Sequence, residues 1–477
     1  MRKRTALLVA RIAGALLAIA IALVAVATAA WAPLPTATAR PVAATVAPVP
    51  TVAERVCPGP LLSVGEEAES ATAVSSIGEA DIVAAGADAD PDEQPLASPD
   101  DRNGDANGAG VVLTIPADEG SDAPPLLAGV QSQVADDETH SGLAVAGCTE
   151  AGPDSWLVGG STDVGRTTLV VLSNPSTVSA TVDLGVWGEN GPVAAPGATG
   201  ILVQPRSQRV ISLAGLAPDL LAPVVHVEAH GGEIAAALQQ SIVRGLEPGG
   251  VDIVGPAPAP ATVVTIGGVV VPAATDGAAT DTDAAPTDEQ PGLRLLAPGS
   301  QAADATVSVI GEGDAPGTSF SVHLEPGVAT DAPLAGLAAG VYAVRIDSQQ
   351  PIVAAARTAV AGGVAGRDVA WFTAAPPLGD DPVMIAVASA NQPTFHAWNQ
   401  RATDATLTLT PQSGTPVTVT VPAAAAVAVP LTGSGGYTVS DAEGVVATVS
   451  YGGADAVASV PVLAGSALAS PIVVYTR

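Results

Sequence analysis

Lysine is almost absent from this sequence, Lys3 being the only one in 477 residues. Everything downstream therefore lacks lysine nucleophiles and Ser–Lys dyads. Aromatic residues are scarce, with five Trp, four Tyr and three Phe. The core must be built mainly of Ala, Val and Leu, and each Trp is expected to serve first as a large core filler. Basic residues number 17 against 47 acidic ones, and four of the 17 (Arg2, Lys3, Arg4 and Arg11) sit before an apolar N-terminal stretch. The remainder carries a net charge of about −34. Such a body repels nucleic acid and anionic lipid surfaces, both of which are bound through clustered Lys and Arg. The charge also keeps a valine-rich surface soluble. Reaction signatures are missing too: there is no G-x-S-x-G, Walker loop, G-x-G-x-x-G or H-E-x-x-H. Carboxylates are plentiful, but they lie mostly in acidic loops and no pair is set apart for acid–base work. Neither a catalytic role nor a cofactor is expected.

What is present begins with Ile12 to Ala32, an unbroken run of 21 uncharged, mostly apolar residues. As a helix it would be about 31 Å long, matching a hydrocarbon core of about 30 Å. Basic residues flank only its N-terminal side, and the first acid is Glu54. The positive-inside rule then predicts a cytoplasmic stub (1–11), a single-pass signal-anchor (12–32) and an extracytoplasmic body. Ala27-Thr28-Ala29 has the form a signal peptidase accepts, although the run exceeds the usual signal-peptide core. The body is exported whether or not this segment is cleaved.

Cys57 and Cys148 are the only cysteines. In an exported chain they read as one disulfide. A zinc site would need further ligands, and His140 is the only histidine nearby.

Residues 33–53 are rich in Pro, Ala, Thr and Val and read as an extended tether. Residues 54–150 read as a disulfide-stapled, acidic, low-complexity region, mostly disordered, with Val111 to Ile115 as its one clear strand. Beyond Cys148 the sequence repeats. Ala180-Thr181-Val182-Asp183-Leu184 recurs as Ala305-Thr306-Val307-Ser308-Val309 and as Ala405-Thr406-Leu407-Thr408-Leu409, each with the period-2 alternation of a half-buried strand. Pro205 with Leu213, Pro326 with Leu334 and Pro422 with Leu431 recur further along each unit. Apolar runs then flank turn signals at Gly231-Gly232, near Gln349 and at Glu443-Gly444, which read as hairpins. The pattern predicts an all-β fold of three tandem Ig-like β-sandwich repeats at 152–257, 261–377 and 380–466, followed by a tail at 467–477. A second acidic loop is expected from Thr275 to Pro291 in the middle unit.

Three groups are weighed as sites. His226, Glu228 and His230 alternate with Val225, Val227 and Ala229, so on a strand they share one face. Two imidazoles and a carboxylate there could hold a divalent metal, or simply form a solvated sheet face. Asn103, Asp105, Asn107 and Gly108 look calcium-like, but a leading Asp is missing and Thr114 stands where a bidentate Glu belongs. His396 and Trp398, beside Asn399 and Arg401, could stack on a sugar, as could Trp371-Phe372, unless these rings are core.

Several segments are also familiar in combination. They are Cys57-Pro58-Gly59-Pro60-Leu61-Leu62 after the apolar run, Cys148-Thr149-Glu150 leading into Ser155-Trp156-Leu157-Val158-Gly159-Gly160, then Leu172-Ser173-Asn174-Pro175 and Leu238-Gln239-Gln240-Ser241. In this order the chain resembles an actinobacterial family of uncharacterised exported, membrane-anchored proteins, domain of unknown function family 5719. The resemblance spans nearly the whole chain and implies a cell-envelope location, with no activity to transfer to any residue. The expectation is a scaffold or protein-interaction module outside the membrane, partnered by envelope proteins, with a wall-glycan-binding module as the alternative.

Overall fold

The computed structural model describes residues 2–31, 43–46, 52–65, 73–87, 89–101, 108–117, 124–273, 288–313, 315–363, 366–453, 456–464 and 472–475. Among them are 34 strands and two helices, making an all-β protein apart from the N-terminal helix and one turn at Leu213–Leu216. They form two compact units, Met1–Pro48 with Pro471–Arg477, and Val49–Ser470.

In the first unit one helix runs Arg2–Trp31, so the expected cytoplasmic stub is continuous with the helix that follows it. Among the described residues no helix is long and apolar enough to cross a membrane. Side chains of this helix are described only at Val9, 11–24, Val26 and Ala27, so the expected 12–32 span is covered in part. Ala43–Val46 pairs antiparallel with Ile472–Tyr475, placing a strand within both the expected tether and the expected tail. Most of the tether, and the rest of the tail apart from Ile472–Tyr475, lie outside the described residues.

The second unit contains three blocks of paired sheets with one strand order. In the first block Asp154–Val158, Val224–His230, Ala180–Gly188 and Gly191–Val193 lie side by side in one sheet. Ser207–Ser212, Arg166–Asn174, Ala235–Arg244 and Glu247–Val254 form the other. Leu157, Val182 and Val227 of one sheet share a core with Val170, Leu172 and Leu238 of the other. The order is the same across 261–373 and across 383–461. The repeated Ala-Thr motif falls on equivalent strands, Ala180–Gly188, Ala303–Gly311 and Ala405–Pro411, and its apolar positions are the buried ones. Leu213, Leu334 and Leu431 each follow the short strand after the recurring proline, and all three are buried.

The hairpin expectation is corrected. Val224–His230 already has a neighbour on each edge, Asp154–Val158 and Ala180–Gly188, so Ala235–Arg244 joins the opposite sheet instead. In the second block the corresponding stretch has no turn at all. Gly340–Gly363 is one 24-residue strand whose first half pairs in one sheet and whose second half pairs in the other. The sequence marks the break between strands correctly in the first and third blocks but not in the second, and says nothing of which sheet receives the next strand.

The expected disorder of 54–150 is also corrected. Val52–Cys57, Val111–Pro116 and Asp92–Pro95 form one sheet, while Asp81–Gly86, Leu127–Asp136 and Ser141–Gly147 form another. The acids Asp81, Asp92 and Glu93 lie exposed on these strands, whereas Ala85, Ala128, Ala144 and Ala146 are buried. Small side chains let the sheets approach closely, so a composition that looked disordered packs. Cys57 and Cys148 are bonded in the core between Leu113, Ile115 and Leu127. The calcium-like Asn103, Asp105 and Asn107 lie outside the described residues, as does most of the second acidic loop, 274–287.

Three glutamines complete this region by acting as strand partners for the Cys57-to-Leu62 turn. The Gly59 N–H donates to Gln131 Oε1 at 2.9 Å, and Gln131 Nε2 donates back to the Gly59 carbonyl at 2.5 Å. The Leu61 N–H donates to Gln133 Oε1 at 2.8 Å. Leu62 exchanges both bonds with Gln239, at 2.8 and 2.6 Å. Gly59 has φ of 92°, and a Cβ there would lie 2.8 Å from Ala109 and Gly110 backbone, so only glycine fits.

The blocks are joined by buried polar side chains. Arg294 of the second block is fully buried and uses all five N–H donors. Two go to Asp331 at 2.8 and 3.0 Å, and three reach first-block carbonyls of Gly160, Pro223 and Leu221. Asp252 of the first block accepts the Trp371 N–H of the second at 2.7 Å. Asp368 of the second block accepts N–H groups of Val457 in the third block (2.9 Å), Leu143 in the N-terminal sheets (3.2 Å) and Val369 (2.9 Å). Burial pushes the Asp252 carboxyl up to about 7 against the pull of its N–H donors, and Asp368 moves the same way.

Two predictions follow from these joints. Replacing Cys57 and Cys148 with Ser opens a 91-residue separation, and denaturant unfolding should register a loss of about 4–5 kcal/mol. Asp252 binds its proton more tightly when folded, so its contribution is complete below about pH 4 and is lost as pH rises to about 7. Between those limits the unfolding free energy should fall by up to about 1.4 kcal/mol per pH unit more in the parent than in Asp252→Asn. Equal slopes in the two proteins would show that Asp252 does not titrate there.

Candidate functional site

The outer face of the first block carries the densest grouping of the residues singled out from the sequence. Val224–His230 turns Val225, Val227 and Ala229 into the core and leaves His226, Glu228 and His230 on the other side. Antiparallel pairing then sets Trp156 opposite His226, and Asp154 opposite Glu228, with Asp183 on Glu228's far side. Gly185 lies opposite His226 on that far side, and the Trp187 ring extends over it, so a Cβ at Gly185 would come within 2.9 Å of that ring.

The result is two half-buried rings, His226 and Trp187, against the buried Trp156, beside an acidic row. The His226 ring stacks on Trp156 at 4.2 Å, and Trp156 stacks on Trp187 at 5.4 Å. His226 Nε2 lies 2.6 Å from Asp154 Oδ2, and Nδ1 lies 3.8 Å from Glu228 Oε2. Asp154, His226 and Glu228 each offer a ligand atom within 4.8 Å of the others. One imidazole and two carboxylates open to solvent on one side suit zinc or a similar ion better than calcium, which takes six to eight oxygens. His230 is not part of this group. It is 65% exposed and lies nearest Asp183, at 3.7 Å. Asp154, Trp156 and Trp187 went unnoticed as site residues. Asp154 and Trp156 alternate on their strand as Glu228 and His226 do, but the register joining them is not written in either segment.

Of the two readings weighed for His396 and Trp398, a sugar platform or core packing, the surroundings are those of packing between blocks. His396 is buried at the seam of the second and third blocks, with Nδ1 2.9 Å from Glu312 and Nε2 2.7 Å from Ser450 Oγ. Trp398 packs on Ala343 and Ala375 of the second block and Val446 of the third. Neither ring has a face open to a ligand, because Ala-rich sheets leave room at the seam that only large side chains fill. Trp371 and Phe372 are buried as well, and Trp371 Nε1 donates to Gln240 Oε1 at 2.7 Å.

Three carboxylates standing opposite one another across adjacent strands repel. Glu228→Gln, in the middle of the row, should raise stability by up to about 1 kcal/mol at low ionic strength, with the gain fading as salt screens the row. Denaturant titrations of both proteins at low and high NaCl measure this. A loss of stability in the variant would mean that Glu228 is held by a favourable partner instead.

No curated protein matches the chain. Among solved structures, a biofilm associated protein BSP domain aligns with 91% of this chain and all of that one, at 10% identity and a TM-score of 0.12. A match that low carries no argument about the fold. A family described only as of unknown function, DUF5719, matches residues 103–448.

Proposed function

Because this chain belongs to the DUF5719 family, for which no function is described, we propose its role from its construction: a non-catalytic scaffold of the cell envelope. In this reading three tandem Ig-like β-sandwiches and the disulfide-bonded N-terminal sheets form a stiff body outside the membrane. The helix at Arg2–Trp31 anchors it, with the basic residues Arg2, Lys3 and Arg4 on the cytoplasmic side.

The observation that carries the reading is the saturated polar joint between blocks, above all Arg294 with its five bonds. Enzymes and transport proteins that work by domain closure keep their interfaces loose, whereas buried, fully paired groups hold neighbouring blocks in one arrangement. Val164 and Leu246, which are 81% and 94% exposed on neighbouring turns, are suited to contact with a protein partner.

A second reading, a wall-glycan-binding module, draws on the half-buried rings of His226 and Trp187, backed by the buried Trp156, beside Asp154, Asp183 and Glu228. Aromatic faces next to hydrogen-bonding carboxylates suit a sugar ring. Co-sedimentation of the full chain with isolated wall polymers separates the two. The scaffold reading expects no saturable retention, and photo-crosslinkers at Val164 and Leu246 in intact cells should give discrete protein adducts. Retention that Trp187→Ala abolishes would replace the scaffold with the glycan reading.

A further inference from the structure

Thirteen arginines and no lysine lie beyond Ala32, against 47 acidic residues. A carboxylate on this body has few protein cations to neutralise it, and the outer face of the first block shows the consequence. Asp154, Glu228 and Asp183 stand in one row across three adjacent strands. Among the described residues no arginine pairs with Asp154 or Glu228, and His226 is the basic group beside both. Asp183 is committed elsewhere. Its Oδ1 accepts the Gly200 N–H at 2.7 Å, and its Oδ2 faces His230 at 3.7 Å.

The imidazole is held in place and the two carboxylates are not. His226 is half-buried and lies flat on Trp156, with 16° between the ring planes, and Trp187 flanks it at 6.4 Å. Packing through the face of the ring leaves its nitrogen-bearing edge turned toward Asp154 and Glu228. The 2.6 Å between Nε2 and Asp154 Oδ2 is the spacing of a hydrogen-bonded pair sharing one proton. Asp154 and Glu228 are exposed, so their carboxyl groups can turn without disturbing the core. One ligand atom from each of the three residues lies within 4.8 Å of the others, and no other group of three does so among the described residues. Ligands of a tetrahedral zinc ion stand about 3.3–3.6 Å apart. Rotation of two exposed side chains is enough to reach that spacing.

We propose that Asp154, His226 and Glu228 form a binding site for zinc or a similar divalent cation, held by one imidazole nitrogen and one oxygen of each carboxylate, with the remaining position open to solvent. The cation takes the place of the proton between His226 and Asp154, and it neutralises a row that repels without it. The imidazole nitrogen selects zinc and its neighbours over magnesium and calcium, which take sets of oxygen ligands. The site uses only this chain's own residues, so it stands apart from both the scaffold and the glycan readings.

Isothermal titration calorimetry of the untagged, metal-free full chain with zinc chloride tests this. Zinc should bind saturably, with a rise in the thermal midpoint that a chelator reverses. Calcium and magnesium chloride should bind at least about tenfold more weakly. His226→Gln should weaken zinc binding by about tenfold or more, as should Asp154→Asn and Glu228→Gln. His323→Gln, which alters a more exposed histidine flanked by Asp304 and Glu325, should leave it unchanged. Without zinc Glu228→Gln relieves repulsion, but with zinc it lacks a ligand, so zinc should raise the midpoint of the parent more than that of the variant. No saturable zinc binding, binding untouched by His226→Gln, or calcium binding as tight as zinc overturns the proposal. An equal loss in His323→Gln would mark a general affinity of surface histidines and overturn it too. If His226→Gln fails to fold, Glu228→Gln decides: affinity and midpoint rise equal to the parent's overturn it.

Discussion

The carboxyl of Asp368 accepts hydrogen bonds from three backbone segments that no single block contains, and the body is organised around joints of this kind. Val457, Leu143 and Val369 all donate to it. A protein with so few aromatic residues has few large rings to cement one block to the next, and Trp371 and Trp398 are spent at these seams. Its interfaces are otherwise made largely of Ala and Val, which contribute little area each, and are fixed by a small number of buried polar groups. Asp252 does for the first and second blocks what Asp368 does for the second and third. His396 with Glu312 adds a side-chain pair at the latter seam. Each such group is costly to bury and strongly committed once buried, so the arrangement of blocks is specified more sharply than apolar contact alone would allow.

Much of the fold was legible because it repeats with period two. The Ala-Thr motif, the proline–leucine spacing and the turn signals are local, and local regularities survive in sequence. The pair Cys57 and Cys148 was legible by arithmetic. What was not legible was which neighbour a strand takes. Gly231-Gly232 and Gln349 occupy equivalent places, yet the first is a turn between sheets and the second lies inside a continuous strand. The segment 54–150 misled for a different reason. Its alanines and glycines are core residues there, while composition counts them as signs of disorder.

The outer-face site was half legible. Alternation put His226 and Glu228 on one face, but the cross-strand partners Asp154, Trp156 and Trp187 depend on register between segments far apart in the chain. His396 and Trp398 could be read either as a platform or as core, and the sequence could not name their partners, Glu312 and Ala343, because these belong to another block. The segments that carry the family resemblance gain a physical meaning that their letters do not disclose. Gln239 pairs with Leu62 of the Cys57-to-Leu62 turn, and the adjacent Gln240 holds the Trp371 indole. Two neighbouring amides thus serve two different joints.

The reach of Asp368 also fixes a timetable. Leu143 precedes it by 225 residues, and Val457 follows it by 89. A chain made at about 5–20 residues per second offers Asp368 to its first donor only after about 10–45 seconds, and the last donor arrives about 4–18 seconds later. Throughout that interval the N-terminal sheets and the first block carry surfaces whose partners do not yet exist. Sheets rich in Ala and Val with acidic exteriors tolerate such a wait better than sheets faced with aromatics, because newly made copies repel one another and stick weakly. The composition that first stood out for what it lacks is therefore also suited to a body that can close only when its final strand arrives.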